Sequence, residues 1–292
     1  MLRPRIMPCL LVHDKGLVKT VQFKNPKYVG DPINAVRIFN DKGVDELAVF
    51  DIDATVLGKE PNYSLIERLA SQSMMPFCYG GGVKTVEQAQ RIFSLGIEKI
   101  ALSSAVIQNP KLVTQIADRV GSQSVIVVLD IKKKLLGGYE VYTHNGKKST
   151  GINPVKFAKE LQQLGAGEII INSIDQDGVM KGYDLNLIDK IAETISIPLT
   201  VLGGAGSLAD IEKVIEKNGV IVRQISSNQI AEIQSGFVVS SLKIAQPISR
   251  IGDRFLTISS ESEQMRREFA GVRPWRLIPT PAGSPRPPVE PL

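Results

Sequence analysis

The stretch Ser124–Ile131, SVIVVLDI, is an unbroken aliphatic, largely β-branched run that ends in a carboxylate, Asp130. Such a run is what a strand buried on both faces looks like, and strands of that kind belong to parallel sheets covered by helices. Ligands meet parallel sheets at the C-terminal strand ends, so Asp130 stands where a proton-transfer group is useful. The competing reading is an aspartate that caps a turn.

Outward from this strand, short apolar runs alternate with amphipathic helical ones from Arg5 to Gly206. The other strand candidates are RIMPCLLV from Arg5, ELAVFDI from Glu46, MPFCYGG from Met75, IEKIALSS from Ile97, GEIIINSID from Gly167 and IPLTVLGG from Ile197. Ser64 with Glu67, Thr85 with Gln88, and Ser207 with Asp210 read as helix-opening pairs, and Pro32 and Pro110 sit where a first turn tolerates proline. Gly96, Gly121, Gly165 and Gly219 are placed to end helices. Seven βα units follow, and the parallel sheet they imply is most simply a (β/α)8 barrel. A weak internal repeat supports two half-barrels: GGGV at Gly80–Val83 and GGAG at Gly203–Gly206 each follow a strand and precede a helix. Glycines there let backbone N–H groups approach an anion, and two such clusters favour a substrate with a phosphate at each end.

Composition agrees with this reading. A chain of 292 residues, 43% hydrophobic and 22% charged, can bury a sizeable core. No apolar run approaches the roughly 20 residues of a membrane span, so no membrane partner is expected. Aromatic residues are scarce and no dense Lys/Arg block stands beside them, which argues against nucleic acid despite a net charge of +5. Cys9 and Cys78 fall inside strand-like runs and fit a reducing, cytoplasmic setting. No cofactor and no metal site is expected.

The stretches RIMPCLLVHDKGLVK, PFCYGGGV, ALSSAVIQNP, VIVVLDIKKK, THNGKKSTG, GAGEIIINSIDQDGVMKGYD and PLTVLGGAGSLADI together resemble the cyclase subunit of imidazole glycerol phosphate synthase, over residues 1–221. In that family a glutaminase subunit releases ammonia, which passes through the barrel. The cyclase subunit uses it to split a bis-phosphorylated aminoimidazole carboxamide ribotide into imidazole glycerol phosphate, for histidine biosynthesis, and the carboxamide ribotide of purine synthesis. The resemblance implies a heterodimer with a glutaminase and a bis-phosphorylated ribotide, or a related small molecule, as substrate. It makes Asp130 one of two acid/base aspartates. The family's other aspartate, in the pattern C-L-D-V, is replaced here by Leu11 within Cys9-Leu10-Leu11-Val12. Two carboxylates can divide proton donation and abstraction, whereas leucine can do neither; Asp14, three residues on, is expected to point elsewhere.

The same resemblance implies a catalytic-loop lysine at Lys19 and a further active-site acid at Asp177. It places Gly82, Ser103 and Ser104 at one phosphate site, with Ser103 in place of the family's asparagine, and Gly178 and Gly203 at the other. Arg5, Glu46, Lys99 and Glu168, each at a strand start and alternating in sign, match the family's ammonia gate, and Gln123 lies near the glutaminase contact. A chain that keeps the ammonia route and loses one acid also resembles paralogues from surface-polysaccharide gene clusters, which are thought to supply ammonia for amidation of a nucleotide sugar. The expectations are therefore a cyclase subunit impaired by Leu11, or a non-cyclising ammonia conduit. A third reading, the related isomerase of the pathway, has no use for an ammonia gate.

The resemblance stops after Ile221, where the family continues into an eighth strand reading roughly G-x-A-A-S-x-F. Here the chain reads VRQISSNQIAEIQSGF and ends in PWRLIPTPAGSPRPPVEPL, a proline-rich stretch expected to be disordered. FVVSSLKI from Phe237 is the one obvious surrogate for the missing strand. The expected division is a barrel over 1–221, with its eighth βα unit missing or replaced, and an atypical tail over 222–292. Val222–Ser227 can be encoded GTN CGN CAR ATH TCN TCN, and one G added in front permits Gly-Ala-Ala-Asn-Leu-Phe. The hypothesis is a reading-frame shift near the Ile221 codon. Resequencing the gene there is expected to show a single-base change that restores a Gly-x-Ala-Ala strand; if no single-base change does so, the frame-shift origin is wrong.

Overall fold

The structure is a computed structural model that describes residues 5–217 and, farther on, the backbone of four short strands. In chain order the elements are β1 (Cys9–His13), β2 (Gly16–Val21), β3 (Lys24–Gly30), α1 (Pro32–Lys42), β4 (Leu47–Asp51), α2 (Tyr63–Ala70), β5 (Phe77–Gly80), α3 (Val86–Ser94), β6 (Lys99–Leu102), α4 (Ser104–Gln108), α5 (Leu112–Val120), β7 (Val125–Lys133), β8 (Tyr139–Thr143), β9 (Lys148–Ser149), α6 (Pro154–Gln163), β10 (Glu168–Ser173), α7 (Leu185–Ala192), β11 (Leu199–Leu202) and α8 (Leu208–Lys217). The four later strands are β12 (Gly236–Val238), β13 (Gln246–Ile248), β14 (Arg250–Ile251) and β15 (Arg254–Phe255).

All seven strands expected from the sequence form, and they pair in parallel in the order β1-β4-β5-β6-β7-β10-β11. Two antiparallel excursions interrupt the βα rhythm. β2 and β3 extend the chain beyond β1, and β8 and β9 fold back on β7. The helices start largely as read. Asp31 caps α1 ahead of Pro32 and Thr85 caps α3 through the Gln88 amide. α2 differs: Asn62, not Ser64, accepts the capping bond, from the Leu65 amide, so the helix begins a residue before the serine.

Strand parity explains why the sheet curls into a barrel wall. Successive side chains on a strand point to opposite faces, and one set here (Val49, Tyr79, Ile100, Val127, Ile171) packs outward against the helices in the main core. The other set forms a second cluster, Ala48, Cys78, Ala101, Ile126, Val128 and Ile170, with Met7, Cys9, Phe50 and Leu202 packed against it. That cluster draws on β1 and β11, the two ends of the parallel order, so the sheet wraps around a common bore. The parallel registers keep the bore-facing set in step, pairing Cys9 with Ala48, Ala48 with Cys78, Ala101 with Ile126, Ile170 with Val128 and Asn172 with Leu202.

Among the described residues β11 and β1, the two ends of the parallel order, are not paired. All four residues of β11 are half-buried, whereas the core strands β5 and β7 are buried along most of their length. Among the described residues no strand pairs with the outer edge of β11. Phe237 and Val238, the start of the surrogate considered above, instead pair with β13 in a separate two-stranded sheet. β14 and β15 form another.

Candidate functional site at the barrel mouth

Along β7 the residues Ile126 and Val128 face the bore, so parity sends Asp130 into it as well, at the C-terminal lip. The neighbouring β10 does the same with Ile170 and then Asn172, which is directly opposite Asp130 in register. The Asn172 Nδ2 donates to Asp130 Oδ1 at 3.3 Å. Burial pushes the Asp130 carboxyl up to about 7; the Asn172 hydrogen bond opposes that rise and the Asp177 charge adds to it. A carboxyl poised near neutrality can both give and take a proton. Cys9 faces the same space, its thiol pushed up by burial and by the charges of Asp130 and Asp177.

Leu11 lies in register with Phe50 of β4 and Val18 of β2, on the bore-facing parity of Cys9. That side of the lip therefore carries no carboxylate at the position the resemblance expects. Two residues on, with the same parity, His13 Nδ1 lies 2.7 Å from Asp53 Oδ1. Sequence reading passed over this pair because the two residues are 40 positions apart and meet only through the β1–β4 register.

Asp177 sits in the loop after β10, close enough to Asp130 to act on it electrostatically, and it also serves as an anchor. Its Oδ2 accepts from the Thr20 hydroxyl at 2.7 Å and from the Phe23 amide at 3.1 Å, while its carbonyl accepts from the Gln22 amide at 2.8 Å. The β2–β3 hairpin is thus tied across the mouth from β1 to the β10 loop. Lys19 rides on this hairpin, exposed and opposite Lys27. A second loop crosses from β8: His144 and Asn145 adopt left-handed backbone angles, and Asn145 Nδ2 donates to the Ile52 carbonyl at 2.9 Å.

The residues expected at the phosphate sites fall into two groups. Gly82 follows β5 and Ser103 and Ser104 follow β6, adjacent strands on one side of the lip. Gly178 follows β10 and Gly203 follows β11, adjacent strands on the other. Packing alone demands all three of these glycines: Gly82 has φ +73° and a Cβ there would stand 2.9 Å from the Lys59 carbonyl. Gly178 has φ +66° and a Cβ there would stand 2.2 Å from the Thr20 carbonyl of the hairpin; Gly203 has φ +87° and would meet the Ser173 carbonyl at 2.7 Å. Ser103 precedes α4 without capping it through its side chain.

At the opposite end of the bore the four charged residues expected there form a closed ring. Arg5 lies 2.9 Å from Glu46 and 3.5 Å from Glu168, and Lys99 Nζ lies 2.7 Å from Glu46 and 3.1 Å from Glu168. Thr200 of β11 adds a hydroxyl donated to Glu168 at 2.6 Å. Gln123 lies at this end too, in the turn of 3-10 helix Ser122–Ser124 that leads into β7.

Comparison with known proteins agrees with this architecture. The family described as "Histidine biosynthesis protein" matches residues 5–227. The chain is 56% identical over 222 residues to a Vibrio vulnificus protein provisionally named imidazole glycerol phosphate synthase subunit hisF3, covering 76% of this chain and 85% of the relative. A Leptospira borgpetersenii protein provisionally named subunit HisF of the same synthase is 57% identical over 222 residues, covering 76% and 87%. The provisionally named subunit hisF2 of Pseudomonas aeruginosa is 51% identical over 220 residues, covering 75% and 88%. With the family match spanning the barrel from Arg5 onward, this chain belongs to the histidine biosynthesis protein family.

Proposed function

We propose that this chain is the cyclase-type subunit of an imidazole glycerol phosphate synthase, a glutamine amidotransferase in which a separate glutaminase supplies ammonia. The observation that carries the reading is the bore itself, with a ring of alternating charges built on two buried carboxylates at one end and a carboxyl raised to about 7 at the other. Glutaminase docks on the face that carries Arg5, Glu46, Lys99 and Glu168, as one heterodimer. Ammonia enters through the ring and passes along the bore. At the mouth the bis-phosphorylated ribotide spans the lip, one phosphate near Gly82, Ser103 and Ser104 and the other near Gly178 and Gly203. Asp130 exchanges protons with the reacting centre, and Lys19, carried over it by the β2–β3 hairpin, neutralises developing negative charge. No helix among the described residues is long and apolar enough to cross a membrane, and the reading places the protein in the cytoplasm.

Leu11 favours a second reading, in which the barrel delivers ammonia without cyclising and serves amidation of a nucleotide sugar. Purified protein given an ammonium salt and the ribotide separates the two. Formation of imidazole glycerol phosphate is expected, at a rate that Leu11→Asp raises; a wild-type chain that binds the ribotide but never turns it over is the conduit.

The ring has its own test. Lys99→Glu sets three carboxylates against one guanidinium and is expected to uncouple glutamine hydrolysis from ammonia use, while external ammonium still supports the reaction. If glutamine-dependent and ammonium-dependent rates stay in their wild-type ratio, the ring is no gate.

The Asp130 environment predicts a pH signature. Its carboxyl titrates at the usual 3.8 when unfolded and at about 7 when folded. Between these values the folded chain binds the extra proton, so the stability present below pH 4 is lost as pH rises towards 7. Asp130→Asn cannot ionise and should gain about 1–3 kcal/mol over the wild type on going from pH 4.5 to pH 8, read as a widening Tm difference. Its ammonium-dependent rate should fall by about 10²–10⁴-fold. A pH-independent Tm offset would mean that the carboxyl is not held in its neutral form.

A further inference from the structure

His13 and Asp53 form an oriented pair on the side of the lip where Leu11 offers no proton. β1 presents Cys9, Leu11 and His13 on one parity, and the Val12–Asp51 register brings the end of β4 alongside. Asp53 is fixed before it meets the imidazole: its amide donates to Asp51 Oδ1 at 2.9 Å, as does the Ala54 amide at 3.1 Å. Its two carboxylate oxygens then divide their work. Oδ2 accepts from the Asp14 amide at 2.8 Å, in the left-handed turn of Asp14 and Lys15 that reverses the chain into β2. Oδ1 takes the His13 Nδ1 at 2.7 Å.

A carboxylate on Nδ1 fixes the tautomer with hydrogen on that nitrogen and leaves the Nε2 lone pair outward. The His13 side chain keeps 42% of its surface and Asp53 only 23%, so the orienting group is the more enclosed and the imidazole the more available. Among the described residues Nε2 meets no protein partner. The backbone beside the pair is also tied to the far side of the mouth. The Ile52 amide donates to the Val12 carbonyl at 3.1 Å, and the Ile52 carbonyl receives Asn145 from the loop that follows β8, the strand paired with the Asp130 segment of β7. The other acid near Asp130, Asp177, is taken up by the Thr20 and Phe23 bonds.

We propose that His13, held by Asp53, is the second proton-transfer group of this mouth and works with Asp130 across it. The inference rests on the function proposed above. As the ammonia nitrogen bonds to the acceptor carbon, the bond from that carbon to its leaving group breaks; His13 Nε2 takes the proton the nitrogen sheds, and protonated Asp130 gives its proton to the departing group. Water then returns the proton from the imidazolium to the Asp130 carboxylate, so the cycle closes without another reagent. Asp53 is a positioning residue. Asp53 is the charged group against the imidazole; Asp51 accepts from the Asp53 amide, and the Asp14 amide, beside Lys15 in the β1–β2 turn, donates to Asp53.

The chain has two histidines, so ¹⁵N NMR of the imidazoles in the full chain is assignable with His144→Gln alone. The His13 ring is expected as the Nδ1-protonated tautomer, to lose that bias in Asp53→Asn, and to shift at Nε2 when the bis-phosphorylated ribotide is added. In ammonium-dependent turnover, His13→Gln should lower kcat by about 10²–10⁴-fold with KM within a few fold. Asp53→Asn should lower kcat less than His13→Gln does, in step with the lost tautomer bias. A His13→Gln enzyme with wild-type kcat overturns the proposal. A wild-type chain without turnover overturns the cyclase reading instead; there the NMR decides, and an Nε2 resonance unmoved by saturating ribotide removes His13 from the site.

Discussion

The ring of Arg5, Glu46, Lys99 and Glu168 is the constraint on which the rest of the barrel depends. Glu46 and Glu168 are only 2% and 3% exposed, and a carboxylate so enclosed is strongly destabilising unless a cation and hydrogen bonds compensate it. The two cations that do so arrive from just before β1 and from the start of β6, while the two acids come from just before β4 and the start of β10. Satisfying all four charges at once holds segments that are far apart in sequence at one radius. Removing any one would leave each of its two neighbours with a single ring partner, so the ring penalises both an opened sheet and a register slipped by one residue. Once its parity is set at the ring, every second residue upward is committed to the bore, and Asp130, Asn172 and His13 reach the lip as a consequence.

Much of this was legible because burial on both faces leaves a plain signal. The seven strands and Asp130 at the end of its run follow from apolar runs, while the charges at the strand starts were singled out by the family resemblance. The two antiparallel excursions were not legible. GLVKTV alternates over a few residues and KNPKYVG is exposed almost throughout, so β2 and β3 owe their form to docking on Asp177 and not to local pattern. The cap of α2 was misplaced for a related reason: Asn62 and Ser64 are both good caps, and the helix takes the one that lets Leu65, Ile66 and Leu69 face the core. The His13–Asp53 pair needed the three-dimensional register. No spacing rule connects a residue in a strand end to one 40 positions later in another loop.

The mouth carries polar groups whose structural and chemical uses overlap. Asp177 lies close enough to raise the Asp130 carboxyl, yet its own oxygens hold the β2–β3 hairpin in place. Gly178, next to it, is required because the hairpin backbone passes where a Cβ would be. Residues assigned to substrate by family likeness are thus also the ones that fasten a covering segment, and loss of activity on changing them does not by itself separate the two roles. Asp130 is the cleaner probe, since its hydrogen bond to Asn172 joins two strands already paired along six residues.

The two ends of the bore are joined by the same strands, which bears on what can travel between them. On β10 the ring residue Glu168 and the lip residue Asn172 are four positions apart, as are Lys99 and Ser103 along β6. At about 3.3 Å per residue the lip stands roughly 13 Å above the ring. The side chains between are Cys9, Cys78, Ala101, Val128 and Ile170, none of them charged, because the thiols of both cysteines are pushed up by burial and stay protonated. A path of that lining is hostile to ammonium and tolerant of neutral ammonia. Under the proposed function, charge is therefore accommodated at the two ends of the bore, the ring and the lip, and not between them.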